Sequence, residues 1–321
     1  MSLPYTWDNT AEKVAQDLAT HIADRIVLVT GVSPGGLGAA FASAIAHQKP
    51  RLIILAARSV SKAEETAKAI AEQAPDVQTR LLELDLSSQA QIRQAAAEVN
   101  AYAENIDVLV NNAGVMAIPY TPTTDGLESQ FGINYLGPFL FTNLIMPKLR
   151  AGAGKARVVN ISSDGYRASA IRFADPNFDN GKAYDKWEAY GQSKTATMLF
   201  AIALAKRLGD ELVAVSIHPG VIFTNLANHF VTDIVEELTQ LAHRQGNGPF
   251  ADGGRFKNLP QGVSTHVVAA FDPRIEEHNG AYLSDCQVLP PDQIRCWGRD
   301  PVEAEKLWEL SEEMVGQKFE Y

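Results

Sequence analysis

From Arg25 onward, short apolar runs alternate with longer stretches of mixed polarity. The runs "RIVLVTG", "LIILAAR", "TRLLELDL", "IDVLVNNAG", "ARVVNISS" and "LVAVSIHPG" are short and rich in Val, Ile and Leu. Strands that read this way are buried on both faces, as in a parallel sheet. Between them, "GAAFASAIAHQ", "SKAEETAKAIAEQ", "SSQAQIRQAAAEVNAYA", residues 125–149 and "WEAYGQSKTATMLFAIALAKRL" read as helices. The alternation predicts an α/β fold: a doubly wound parallel sheet (Rossmann fold) with helices on both faces.

The ends of the chain fit the same plan. Residues 9–24 read as an N-terminal amphipathic helix, with Asn9 as cap, Glu12 closing a capping box, and Val14, Leu18 and Ile22 on one face. A helix near 260–271 and a strand, "GAYLSD", precede a final helix. That helix has Asp300 as cap, Pro301 at its first position and Glu303 at its third, with Leu307, Leu310 and Met314 on one face. No linker interrupts the series, so residues 1–321 read as a single domain.

Two stretches break the rhythm, 164–187 and 222–262, the second holding the helical piece "TDIVEELTQLAHR". Both leave carboxyl ends of strands, the edge where open α/β sheets bind ligands. They read as substrate-pocket insertions, with irregular surface loop as the plain alternative. The aromatics Tyr166, Phe173, Phe178, Tyr184 and Trp187 would suit either a pocket wall or packing of the insertion itself.

Composition narrows the function classes. The formal net charge is −10 without a basic stripe, which argues against nucleic acid as a partner. Cys286 and Cys296 form neither a disulfide framework nor a zinc spacing, and read as free thiols of a reducing compartment. No metal site is expected. "MSLPYTWDNTAEK" lacks the basic and apolar regions of a secretory signal. No apolar run reaches the roughly eighteen residues of a membrane span. The expectation is a soluble, cytoplasmic protein.

The candidate chemistry starts at "TGVSPGGLG", Thr30 to Gly38. A glycine-rich turn from strand to helix lets backbone amides and the helix dipole meet a phosphate. Gly31, Ser33, Gly36, Leu37 and Gly38 are the expected dinucleotide contacts. The next strand ends in Arg58 rather than an acid, with Ser59 and Lys62 nearby. An arginine there accommodates a 2′-phosphate, so the cofactor reads as NADP(H). Within one helix, "YGQSK" puts Tyr190 and Lys194 on one face. A cation beside a phenol lowers its pKa and suits it to general acid–base work. Ser163 ends the strand before that helix.

With these residues in place, the chain resembles the short-chain dehydrogenase/reductase family. The resemblance is carried, in the family's order, by "TGVSPGGLG", "LDLSS", "NNAG", Asn134 in "GINYLG", "VVNISS", "YGQSK" and "HPGVIFT". The closing stretch "GAYLSDC … AEKLWELSEEMVG" further resembles the retinol-dehydrogenase and WW-domain-oxidoreductase-like branch, including fungal members.

The resemblance implies roles. Tyr190 exchanges a proton with the substrate oxygen, and Lys194 lowers the Tyr190 pKa and meets the nicotinamide ribose. Ser163, rather than Ser162, bonds the substrate oxygen, and Asn134 holds a relay water. Asp85 and Leu86 line the adenine site. Asn112, Ala113 and Gly114 border the cofactor. Pro219, Gly220, Val221 and Thr224 meet the carboxamide. His218 is read as structural.

This chain departs from the family pattern in one place. Four residues separate Gly31 from Gly36, one more than usual, and Pro34–Gly35 are expected to bulge outward. The implied activity is interconversion of a carbonyl and a secondary alcohol on a bulky apolar small molecule of polyketide, terpenoid, steroid or retinoid type. Enone or imine reduction, and an NADP(H)-binding sensor or scaffold without turnover, are the alternatives. In this family the helices over 125–149 and 188–208 often form a homodimer face, though the same residues could be core.

Overall fold

Side-chain parity along the strands divides the molecule. In β1 (Ile26–Thr30), Ile26 and Leu28 join one apolar core while Val27 and Val29 join another. In β2 (Leu52–Ala57), Leu52, Ile54 and Ala56 fall on the first side and Ile53 and Leu55 on the second. A sheet covered on both faces therefore lies at the centre of this computed structural model, which describes residues 3–152, 154–222, 234–248 and 255–321.

The remaining strands are β3 (Gln78–Glu83), β4 (Val108–Asn111), β5 (Ala156–Ile161), β6 (Leu212–His218), β7 (Tyr282–Ser284) and β8 (Gln287–Val288). Among the described residues they form one eight-stranded sheet in the order β3-β2-β1-β4-β5-β6-β7-β8. All neighbours are parallel except β7 and β8. The order reverses between β1 and β4, and the carboxyl ends on either side of that switch point frame the ligand crevice of such sheets.

Helices α1 (Ala11–Asp17), α2 (Ala19–Ile22), α3 (Leu37–Ala46) and α4 (Val60–Gln73) contribute to the second core. The first core takes α5 (Gln89–Ala101), α6 (Ser129–Phe131), α7 (Gly137–Leu144), α8 (Met146–Arg150) and α9 (Lys186–Leu208). Further on come α10 (Ile234–Gln245), α11 (Leu259–Phe271) on the second core and α12 (Pro301–Val315) on the first.

Four expectations are revised. The N-terminal helix starts after Thr10, whose hydroxyl accepts from Lys13 N, while Asn9 accepts from Thr6 N instead. It breaks at Leu18 (φ −101°, ψ 17°). The 125–149 helix is four pieces. Gly132–Leu136 forms a π-helical turn, and Pro147, which cannot donate to the preceding turn, opens α8. β8 follows β7 through Asp285 and Cys286, both left-handed at φ 51° and 63°, a turn without glycine and so without a sequence signal. In α12 the buried face is Ala304, Leu307, Trp308, Ser311 and Val315, with Leu310 and Met314 only half-buried.

The faces expected to pair with a second copy are filled from within. Trp308 packs edge-on to Phe139 of α7 at 5.0 Å between ring centroids, and tilts against Phe200 of α9 at 6.2 Å. Tyr135 shares a 2.6 Å hydrogen bond with Ser311, and the Arg207 guanidinium lies 4.2 Å over the Trp308 ring. For these residues the core reading holds. Among the described residues no helix is long and apolar enough to cross a membrane, and no cluster of His, Cys, Asp and Glu could hold a metal.

Candidate active site

The first turn after β1 is built against β4. Gly31 has φ +75°, and a Cβ on it would lie 2.7 Å from Ala113 Cα. The Thr30 hydroxyl accepts from Asn112 N and Ala113 N, each at 3.0 Å. The Asn112 side chain donates to Thr30 O at 2.8 Å and Gly31 O at 3.1 Å. A Cβ on Gly38 would strike Asn112 Nδ2 at 2.6 Å, so this glycine lets α3 pack close. "NNAG" is thus the brace of the glycine loop. Asn111 points the other way, donating to Thr142 Oγ1 and Asn160 Oδ1.

A cleft of about 530 Å3 opens beside this turn. Gly31, Ser33, Gly36 and Leu37 line it from the loop, Arg58, Ser59 and Lys62 from the end of β2, and Asp85 and Leu86 from beyond β3. Asn112, Ala113 and Gly114 form the floor. Pro34 and Gly35 are exposed at the loop's tip, while Gly36, extended at φ −94°, caps α3. The amino end of α3 therefore faces a cleft whose lining includes Arg58 and Lys62, which fits a dinucleotide. Asp85 also closes a local turn, accepting from Ser87 N and Ser87 Oγ at 2.9 and 2.7 Å. Thr66 escaped notice in the sequence, but its hydroxyl donates to Val32 O at 2.7 Å and ties α4 to the loop.

The catalytic candidates meet past the end of β5, next to Gly114 of the cleft floor. Asp185 caps α9, accepting from Trp187 N and Glu188 N, and so starts the helix that carries Tyr190 and Lys194. The Ser163 hydroxyl lies near enough to the Tyr190 phenol to draw its pKa down. Ser163 also accepts from Gly165 N at 3.1 Å, which fixes its rotamer, and a Cβ on Gly165 would hit the Tyr190 ring at 2.7 Å. Ser162 faces away and donates to Lys194 O at 2.8 Å. Lys194 Nζ lies 5.5 Å from the Tyr190 ring centroid and donates to Ile161 O at 2.8 Å.

Asn134 sits inside the π-helical turn, a distortion that often marks functional sites. Its Oδ1 accepts from Val115 N at 2.7 Å, and its Nδ2 donates to Val115 O and to Ser193 Oγ, both at 2.9 Å. A Cβ on Gly114 would lie 3.0 Å from Asn134 Oδ1 and 3.7 Å from Lys194 Nζ. Gly114 is thus the joint between cleft floor and catalytic corner.

Electrostatics differ from the simple cation-beside-phenol picture. Burial pushes Tyr190 up to about 12, against a smaller downward pull from the Ser163 hydroxyl. The same burial pulls Lys194 down to about 7. Desolvation disfavours both charged forms and sets both shifts. The pair is held as neutral phenol beside an amine that titrates near neutrality.

His218 accepts from Asp164 N through Nδ1 at 3.2 Å, which ties the end of β6 to the turn after Ser163. Gly220 is left-handed at φ +92°, and Lys257 lies against it. Thr224 and His229 fall outside the described residues, and His243 is exposed on α10.

Of the insertion's aromatics, only Trp187 joins the apolar cluster around Tyr190 with Ala117, Ala168, Leu241 and Ala242. Tyr166 packs on Tyr282, Phe178 on Tyr184, and Phe173 against the first core. Tyr184 OH donates to Ile118 O and accepts from Gln130 Nε2, both at 2.8 Å, so it anchors the insertion to the pocket wall. The stretch 234–245 brings Leu241 into the apolar cluster around Tyr190, a placement that only the folded chain reveals.

The geometry agrees with what the chain is similar to. The family model described as short chain dehydrogenase matches residues 25–174. Mouse (Mus musculus) retinol dehydrogenase 12 is 36% identical over 302 residues, spanning 94% of this chain and 89% of the relative. The Penicillium roqueforti short-chain dehydrogenase/reductase prx1 is 33% identical over 311 residues, spanning 93% and 87%. A solved structure from Mycobacterium paratuberculosis superposes with a TM-score of 0.69 at 30% identity, covering 94% of this chain and 96% of its own.

Proposed function

The chain belongs to the short-chain dehydrogenases, in their retinol dehydrogenase branch, and on that premise we propose an NADP(H)-dependent oxidoreductase that interconverts a carbonyl and a secondary alcohol on a bulky apolar molecule. The observation that carries this reading is the Tyr190 phenol, with Ser163 and Lys194 beside it, at the corner joined through Gly114 to a cleft walled by Arg58.

The residues divide the work. Gly31, Ser33, Gly36 and Leu37 would hold the pyrophosphate at the start of α3, with Asp85 and Leu86 at the adenine end and Asn112, Ala113 and Gly114 along the floor. Arg58 would take the 2′-phosphate through its planar fork, and no acid at the end of β2 opposes it. Pro219, Gly220, Val221 and Thr224 would meet the carboxamide. A bound nicotinamide supplies or accepts the hydride.

Tyr190, protonated through neutral pH by its burial, donates to the developing alkoxide in reduction and recovers the proton in the reverse direction. Ser163 Oγ polarises the same oxygen where charge develops. Lys194 Nζ, titrating near 7, can carry the charge that steadies the phenolate after transfer. Asn134 holds Val115 and the floor in register with that ammonium. An apolar substrate is supported by the Trp187, Leu241 and Ala117 surface around the phenol, and by the name retinol dehydrogenase that the mouse relative bears.

The test follows NADPH absorbance with a panel of bulky ketones. Wild type is expected to oxidise NADPH with at least one, and Tyr190→Phe to lose about 10² to 10⁴ in kcat. Full activity in Tyr190→Phe refutes the mechanism, and tight NADPH binding without turnover on any carbonyl favours a sensor. Arg58→Ala should raise KM for NADPH about tenfold or more while moving KM for NADH little. Equal effects on both cofactors would remove Arg58 from the 2′-phosphate.

A further inference from the structure

Beyond β6 the chain passes Pro219–Val221, leaves the sheet, and returns at Lys257, just before α11. The two ends of this excursion are fastened together. Lys257 N donates to Val221 O at 2.9 Å. The Lys257 stem lies on Gly220, where a Cβ would come within 2.7 Å of Lys257 Cδ. The Lys257 side chain is 0% exposed, yet it ends in an ammonium, whose Nζ lies 2.6 Å from Asp285 Oδ1.

The carboxylate is itself held. Parallel pairing sets His218 beside Ser284, so Asp285 begins the β7–β8 turn level with Pro219. The next residue docks that turn on α11: Cys286 N donates to Thr265 Oγ1, and its thiol to Ser264 Oγ, both at 3.1 Å. The Trp7 ring stands on the ammonium's side, with its centroid 5.9 Å from Nζ.

An ion pair with its ammonium buried is a poor source of stability, since an apolar side chain of equal volume in place of Lys257 avoids the desolvation penalty. What it does supply is direction: the Asp285 side chain keeps 37% exposure, but the buried Lys257 ammonium is left without a counter-charge if the two part. Here the charge tethers the backbone that follows His218, whose ring is bonded to the turn after Ser163.

We propose that Lys257 is a positioning residue, and that its ion pair with Asp285 sets Pro219–Val221 at the catalytic end of the cleft, where the nicotinamide half of the cofactor binds. The inference rests on the reading of the cleft as an NADP(H) site. It separates the two halves of that cofactor: Arg58 governs the 2′-phosphate end and Lys257 the nicotinamide end, through the backbone.

The test compares NADPH with 2′,5′-ADP, which carries the phosphorylated adenosine and no nicotinamide, by fluorescence and calorimetric titration of the full chain. The variants are Lys257→Met, which keeps the stem without the charge, and Asp285→Asn, which suits the left-handed backbone at φ 51°. Each is expected to weaken NADPH about tenfold and to leave 2′,5′-ADP within about twofold of wild type. NADPH affinity unchanged in both variants overturns the proposal. So does equal weakening of the two ligands, which marks general loosening. Wild type that binds neither ligand overturns the cofactor reading, and the inference with it.

Discussion

Lys194 shows how much a single buried group can burden the fold that needs it. In water a lysine titrates near 10.4, whereas burial holds this one near 7. Between those values the unfolded chain binds a proton that the folded chain does not, so stability rises with pH across that window. Below pH 7 both states are protonated, and the whole desolvation penalty weighs on the fold. Lys194→Met should therefore raise the unfolding free energy at pH 6 by on the order of 2 to 4 kcal/mol and change it little at pH 10. Urea unfolding at the two pH values measures this, and an equal gain at both would show that charge is not the cause. The residue-scale readings that sequence supports are those of type and spacing. Tyr190 and Lys194 share a helical face by arithmetic alone. That burial disfavours the charged form of each is a property of everything packed around them, and no local pattern encodes it.

At the scale of elements, α10 is the piece with the most direct hold on the site. It lays Leu241 and Ala242 on the Tyr190 cluster and is pinned to α9 by its own Glu237. Glu237 accepts from Trp187 Nε1 at 2.9 Å and pairs with Lys186 at 2.7 Å. At its far end Gln245 Nε2 donates to Ala168 O at 2.6 Å. Glu237→Ala removes one charged anchor, a loss of about 1.4 kcal/mol, and should speed amide exchange in α10 about tenfold. Exchange in α11 should stay as it is, and acceleration in both would mean that Glu237 supports the fold at large. The helical period of this stretch is legible in the sequence. Its docking partner is not, because Trp187 and Glu237 lie 50 positions apart and meet only through the tertiary fold.

At the scale of the whole molecule, the C-terminal helix closes the first core. Trp308 fills the angle between Phe139 and Phe200, and Tyr321 stands edge-on to it at 6.2 Å. Trp308→Ala should lower the unfolding free energy by about 3 to 5 kcal/mol, as for other large aromatics removed from a core. Urea denaturation reads this directly, and a loss under about 1 kcal/mol would make α12 a surface strap rather than part of the core. Such packing explains why the apolar faces of α7 and α9, read from sequence as either core or dimer surface, are core within one chain.

The sequence by itself determined the alternation of strands and helices, the two-sided sheet, the ordered set of site residues and the cationic end of β2. All of these are written in local periodicity, end signals and residue type. Tertiary structure decided the rest. It turned Ser162 onto the Lys194 carbonyl, and sent only Trp187 among the insertion's aromatics to the site. It turned the chain back at Asp285, and buried Lys257 against the loop after β6. It also set the balance between Tyr190 and Lys194. The physical reason is common to all of them. Burial, desolvation and ion pairing depend on neighbours brought from distant parts of the chain. At "TGVSPGGLG" the two levels meet: the glycines announce a close approach, and the Asn112 brace behind them is what holds that approach in place.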